Sequence, residues 1–327
     1  MSIHTISHRR DSGVALISAV LVVAITSIAA VAMTQNMQLS IHRTSNVLLA
    51  DQRYLYTLGS EAWSRGQLIR DQSNGDTYDA LNEDWAKELP ITVIEEGQVY
   101  AKTIDLQGRF NLNNLYLPKN STEEIKKRTL QQLEAFKNLL RLLELDEALA
   151  QVTSDWLDED TLPQYPDGAE DTEYLNLSPP SRTANTMMAD PSELRLVKDV
   201  TAETYEKLAP YITTLPEFTQ INVNTTDPLI LRALIPLLDE SAAESLLNER
   251  EESPYKNTGA FLDRLKSILS DNKENNINEL ESQITVSSDY FELETTVRMD
   301  NANQRLISLL HRTEQGVDVL NRTLGIY

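Results

Sequence analysis

Hydrophobic and polar positions are distributed least evenly at the start of the chain, where residues 14–42 carry no Asp, Glu, Lys or Arg. An apolar run from Val14 to Met33 covers 20 residues. As a helix rising ~1.5 Å per residue it spans ~30 Å, the thickness of a bilayer core. Arg9 and Arg10 precede it, so the positive-inside bias holds the N-terminus on the cytoplasmic side and sends the remainder across. Between Asn36 and Arg70 there is no Pro, and the only glycines are Gly59 and Gly66. Leu48, Leu55, Leu58, Ala62 and Ile69 recur at helical spacing, which predicts one helix over 14–70, ~85 Å long and amphipathic in its second half. The alternative is a membrane anchor followed by an independent helix. Gln72-Ser73-Asn74-Gly75-Asp76 reads as its stop.

Beyond that helix the period changes. Ile91–Ile94 and Val99–Ile104 flank the turn Glu95-Glu96-Gly97 and predict a hairpin. Ser121-Thr122-Glu123-Glu124 signals a helix start, and Leu130, Leu133, Phe136, Leu139, Leu140 and Leu143 supply its apolar face. Shorter helices are predicted near 192–198, 201–212, 227–237, 239–251 and 258–270. Alternating patterns return at 290–299, 304–311 and 317–324, separated by Asp300-Asn301-Ala302-Asn303 and Glu314-Gln315-Gly316. Strands on both sides of a helical block imply an α+β fold. A long N-terminal helix packs on an antiparallel sheet, interrupted by a large inserted all-α domain. The division is 1–13 leader, 14–70 helix with 14–33 in the membrane, 71–115 strands, 116–285 insert and 286–327 returning strands.

Composition narrows the function. The chain has 327 residues, no Cys and a net charge of −21, which becomes −22 once residues 1–13 are removed. Without Cys there are no disulfides, thiol nucleophiles or thiolate metal sites. The four histidines are His4, His8, His42 and His311, only one of them well inside the soluble part. Nucleophile–base triads are therefore hard to assemble, and an enzyme is not expected. The acidity disfavours nucleic acid and favours basic partners or divalent cations.

Gly13 sits before the apolar run instead of after it, followed directly by Val14. This junction resembles the type IV pilin and pseudopilin class, in which a prepilin peptidase cuts after the glycine and the apolar helix stays on the mature chain. Gly13 would then be the last leader residue and Val14 the methylated first one. The fifth mature residue is Ser18, where most of the class has Glu. In the class that Glu pairs with the N-terminal amine of a neighbouring subunit, because a carboxylate in the membrane is costly unless paired.

Further segments resemble one family within the class, the minor pseudopilin K family of type II secretion. These are Arg10–Ile17, Asp105-Leu106-Gln107-Gly108-Arg109-Phe110-Asn111-Leu112-Asn113, Asp155–Asp160 with Gly168–Asp171, Pro191–Val197 and Ile221-Asn222-Val223-Asn224-Thr225. The resemblance implies a pilin fold with a helical insert, and a structural role at the tip of a short periplasmic pseudopilus. Its implied partners are minor pseudopilins I, J and H, the major pseudopilin G, the prepilin peptidase and the inner-membrane assembly platform.

One acidic stretch carries chemistry. The 40 residues between Arg141 and Arg182 hold eleven acids and no Lys or Arg. Asp155, Asp158 and Asp160 are followed, across Pro166-Asp167-Gly168, by Glu170 and Asp171. Such density on an ordered loop is repulsive unless a cation lies within it, and hard oxygen donors suit Ca²⁺ better than Zn²⁺ or Mg²⁺. The spacing is not that of an EF-hand, and a solvated acidic loop is the bland alternative. Interleaved Trp156, Leu157 and Leu162 suggest a loop packed on the core. The family resemblance implies calcium in the insert, with these five acids as ligands. Residues 221–270 also resemble a helix–hairpin–helix module, which leaves competence-type DNA uptake, or a periplasmic binding protein, as alternatives. The hairpin Leu237-Leu238-Asp239-Glu240-Ser241 is acidic, however, and would repel phosphate.

Overall fold

The computed structural model describes residues 11–73, 75, 77–94, 97–269, 279–299 and 302–326. Arg9 and Arg10 of the expected leader, Asn74, Asp76, Glu95-Glu96 of the expected turn, Asp300-Asn301 and residue 270 lie outside the described residues. The elements are α1 (Asp11–Ser73), β1 (Leu89–Ile94), β2 (Gly97–Asp105), β3 (Phe110–Asn111), α2 (Glu123–Leu142), α3 (Leu149–Leu157) and α4 (Asp171–Leu175). Then follow α5 (Ala202–Leu208), β4 (Ile212–Thr213), β5 (Ile221–Asn222), α6 (Pro228–Leu234), α7 (Glu240–Glu252) and α8 (Thr258–Ile268). The chain closes with β6 (Ile284–Thr285), β7 (Tyr290–Met299), β8 (Ala302–Thr313) and β9 (Gly316–Ile326). Residues 1–56 and 57–327 form two compact units.

In the first unit α1 is continuous, and every residue from 13 to 48 is exposed, including Val14, Ile17, Val20 and Ile28. This is a helix whose apolar surface the chain does not cover, the composition expected of a membrane span.

In the second unit the last turns of α1 lie on a five-stranded antiparallel sheet of order β1-β2-β7-β8-β9. Leu68 enters a core with Trp85, Ala101, Phe291, Leu293, Leu310 and Val317. The rest of the buried face is polar. Glu61 accepts from Ser308 Oγ (2.8 Å) and from Arg322 Nε and Nη2 (both 2.7 Å). Ser64 and Thr103 share a buried hydroxyl bond of 2.6 Å, and Arg65 Nε donates to the Val317 carbonyl (2.8 Å). This reverses the sequence expectation for the helix face: Leu48, Leu55, Ala62 and Ile69 are exposed and Leu58 is only half-buried. Periodicity marks an apolar stripe, but the face that meets the sheet is selected by polar partners far along the chain.

The insert leaves the sheet after β2 and returns at β7. Its first core holds Phe110, Leu112, Leu115, Leu133, Phe136, Leu139, Leu140, Trp156 and Tyr174, with the Phe110 and Phe136 rings stacked at 5.2 Å. The sequence-based division at 115/116 falls inside this core, because residues 110–115 pack with α2. Thr122 caps α2 as predicted, accepting from the Ile125 amide, but Leu130 points to solvent at 61% exposure and Leu143 is half-buried. Residues 191–196 form a 3-10 helix instead of an α-helix. Two parallel pairs, β3 with β4 and β5 with β6, lie in and beside the insert and match none of the strand runs read from alternation. Two-residue strands are too short for alternation to register.

The residues of the resemblance motifs fasten insert to sheet. Asp105 Oδ2 accepts from Asn222 Nδ2 (3.0 Å), Thr225 Oγ1 (2.6 Å) and Ser288 Oγ (2.7 Å). Gln107 accepts from the Asp289 amide (2.7 Å) and donates to the Gln220 carbonyl (3.2 Å). Asn113 donates to the carbonyls of Met188 and Leu215, both at 2.9 Å. Complete burial pushes Asp105 up to about 6, against the lowering effect of its hydroxyl donors.

Candidate functional site

Helix α3 ends at Leu157 because Asp158 turns extended, and the chain then loops outward to return at Gly168. Trp156 and Leu157 are buried beneath the loop, whereas Leu162 is 74% exposed and does not anchor it. The turn comes close to the end of α3: Gly168 N donates to the Gln164 carbonyl (2.7 Å), and Asp155 accepts from the Gln164 amide (3.1 Å) and from that of Ala169. Glu170 caps α4, its backbone amide donating to Glu173 Oε2 at 2.9 Å in a capping box.

This folding brings together three of the five predicted ligands. One carboxylate oxygen from each of Asp158, Asp160 and Glu170 lies within 4.8 Å of the others. That is the greatest separation two oxygens at ~2.4 Å from a shared Ca²⁺ can have. Asp158 and Glu170 are buried, Asp160 is exposed, and Glu170 Oε1 is buried with no hydrogen-bond donor. Asp155 is fully buried just behind the group, bonded to the loop backbone. Asp171 faces away: its Oδ2 pairs with Arg182 (3.0 Å) and its Oδ1 accepts from Thr183. The electrostatics are those of carboxylates without a counter-charge. Burial, then the neighbouring acids, push Asp155 and Glu170 up to about 7 and Asp158 up to about 6. Gln164 and Thr183, which bond these acids, are ordinary loop residues that nothing in the sequence pattern distinguishes.

At the N-terminal end, Gly13 and Val14 are exposed within α1, and Ser18 Oγ donates to the Val14 carbonyl at 2.9 Å. Ser18 therefore satisfies itself within the helix and carries no charge. In the helix–hairpin–helix-like part, Asp239 caps α7, its Oδ1 accepting from the Ala242 amide and the Ser241 hydroxyl (2.8 and 2.9 Å). Arg250 is turned inward onto the Val223 and Thr226 carbonyls. The first turn of α7 is thus already capped by a carboxylate of the same chain, which disfavours a phosphate there.

Family models described as type II secretion system (T2SS), protein K, match residues 108–217 and 221–286, more than half of the chain. The chain belongs to the type II secretion system protein K family. Type II secretion system protein K of Pseudomonas aeruginosa is 32% identical, with 97% of this chain and 94% of the relative covered. Its counterpart in Aeromonas hydrophila is 31% identical over 98% of both. The solved GspK-GspI-GspJ complex from the enterotoxigenic Escherichia coli type 2 secretion system contains a chain that superimposes with a TM-score of 0.75. That match is at 28% identity and covers 86% of this chain and 99% of that one. The α+β architecture with its helical insert is thus the protein K fold, and the chain is a minor pseudopilin of type II secretion.

Proposed function

We propose that this minor pseudopilin sits at the tip of the pseudopilus, where it initiates and caps assembly of the fibre that exports folded proteins. The observation that carries the reading is Ser18. With its hydroxyl bonded to Val14 and no carboxylate at the fifth mature position, the helix has nothing with which to pair the N-terminal amine of a neighbouring subunit. The large insert supports the same position, since it would crowd a regular fibre lattice. Prepilin peptidase cuts between Gly13 and Val14. The helix anchors the protein once in the inner membrane, and the body lies in the periplasm. The GspK-GspI-GspJ complex supports minor pseudopilins I and J as partners. Minor pseudopilin H, the major pseudopilin G and the assembly platform complete the set, and the role is structural, not catalytic. Competence-type DNA uptake is disfavoured by Asp239 and the inward-turned Arg250. Gold labelling of a tagged chain in purified pseudopili is expected to mark one end of each fibre. Label spaced along the fibres would overturn the assignment.

Asp158, Asp160 and Glu170 fit Ca²⁺, with Asp155 holding the loop behind them. The donor set is all hard oxygen, and the orphaned Glu170 Oε1 has no other partner. The ion would neutralise the cluster and fasten the 158–170 loop to α3 and α4. A ligand 100- to 1,000-fold above its Kd stabilises by about 3–4 kcal/mol. Chelation is therefore expected to lower the Tm of the body by about 6–16 °C, restored by Ca²⁺. A melting curve unmoved by chelator and ion would remove calcium from the account.

A further inference from the structure

A second group of acids lies far from the insert, where α1 ends. Asp71 is in the last turn of α1, and Asp79 and Glu83 are in the loop leading to β1. One carboxylate oxygen of each lies within 4.8 Å of the others. Asp79 is 1% exposed. Its Oδ2 accepts from the Ser288 amide (2.7 Å) and from Arg312, but its Oδ1 is buried with no donor at all. Arg312 also reaches Asp71 Oδ2 at 3.0 Å, so one guanidinium is shared between two of the three carboxylates. Glu83 Oε2 is held by the Ala80 amide (2.8 Å) and Trp85 Nε1 (2.9 Å), which fixes the side chain in place. Beside Asp71 and Glu83 opens a cavity of about 450 Å³, lined also by Asn82, Asp84 and Arg70, whose guanidinium is held by the Gln67 amide oxygen at 2.7 Å.

We propose that Asp71, Asp79 and Glu83 form a second divalent-cation site, independent of the acidic loop in the insert, that takes Ca²⁺. Arg312 neutralises one charge but leaves Asp79 Oδ1 unsatisfied, and an unmet buried carboxylate oxygen is costly. The ligand separation suits a hard cation of Ca²⁺ size, and the cavity has room for waters and the amide oxygen of Asn82 to complete its shell. Bound there, the ion ties the last turn of α1 to the 79–83 loop and, through Arg312, to β8.

The test uses the full chain in detergent with Tb³⁺ as probe, since Trp85 lies against Glu83 and can sensitise its emission. In the Asp158→Asn/Glu170→Gln variant, which silences the insert, one Tb³⁺ is expected to remain bound and to be displaced by Ca²⁺. Adding Asp71→Asn is expected to weaken that binding at least tenfold while the circular dichroism spectrum keeps its folded form. If the insert-silenced protein binds no cation by calorimetry, or Asp71→Asn leaves its binding unchanged, the site is refuted. Should those variants not fold, Trp85→Phe in the otherwise unchanged chain decides. Loss of part of the sensitised emission with calorimetric binding retained supports the site, and undiminished emission overturns it.

Discussion

Replacing Gly168 with alanine is expected to cost about 3 kcal/mol and to lower the Tm of the body by about 6–12 °C. The reason is the approach of backbone to carboxylate in the acidic loop. A Cβ on Gly168 would overlap the Asp155 Oδ2 atom and the backbone nitrogen and oxygen of Gln164. None of these is the free end of a flexible chain. Asp155 is fully buried, and Gln164 is held by that same carboxylate and by Gly168 itself. Relief requires the 164–168 turn to lift. That removes the amides that stabilise Asp155 and separates Glu170 from Asp158. The variant should therefore lose its response to Ca²⁺ along with its stability. Gly59→Ala is the matched control: it lies within α1, a Cβ there meets nothing within 4 Å, and the helix gains up to about 1 kcal/mol from the added methyl. Thermal melts of the two variants, with and without Ca²⁺, separate the steric account from a general intolerance of substitution. Equal melting of Gly168→Ala and wild type would show that the turn has slack the geometry denies.

How much of this was legible in the sequence depended on the range of the interactions. The long helix, the hairpin strands 91–94 and 99–104 and the three closing strands were read from local periodicity, and they form close to where the pattern placed them. Asp158, Asp160 and Glu170 could be grouped because their charges crowd a stretch without Lys or Arg. Asp171 was grouped with them on the same evidence but turns to Arg182 and Thr183, a competition that charge density does not reveal. Asn111, Asn113, Asn222 and Asn224 read locally as turn formers, and only the resemblance singled them out. Their buried bonds reach partners such as Leu215, Met188 and Tyr255, 31 to 102 residues away. The same holds for the second acidic group, since Asp71 and Asp79 depend on Arg312, 241 and 233 residues later. Polar selection of the α1 face was hidden for the same reason.

That face gives the second large effect. Glu61→Ala is expected to destabilise the body by about 3 kcal/mol, because it leaves Ser308 and the Arg322 guanidinium without their acceptor at the helix–sheet contact. Arg322 is partly exposed and recovers some hydration, which keeps the loss at the low end for a broken ion pair. A double-mutant cycle with Arg322→Ala should return a coupling of about 1–3 kcal/mol. The pH dependence fixes the sign. Burial alone would raise the Glu61 pKa, but hydrogen bonds from Arg322 and Ser308 outweigh it and hold the carboxyl below its usual value of 4.5. Between the two values the unfolded chain binds the proton that the folded chain refuses, so stability rises with pH there. The advantage of wild type over Glu61→Gln is therefore complete above the unfolded pKa and declines as pH falls through the lower folded one. Denaturant titrations across that acidic range test this directly. An advantage that grew on acidification would mean that Glu61 is held protonated, and that α1 docks on the sheet by packing alone.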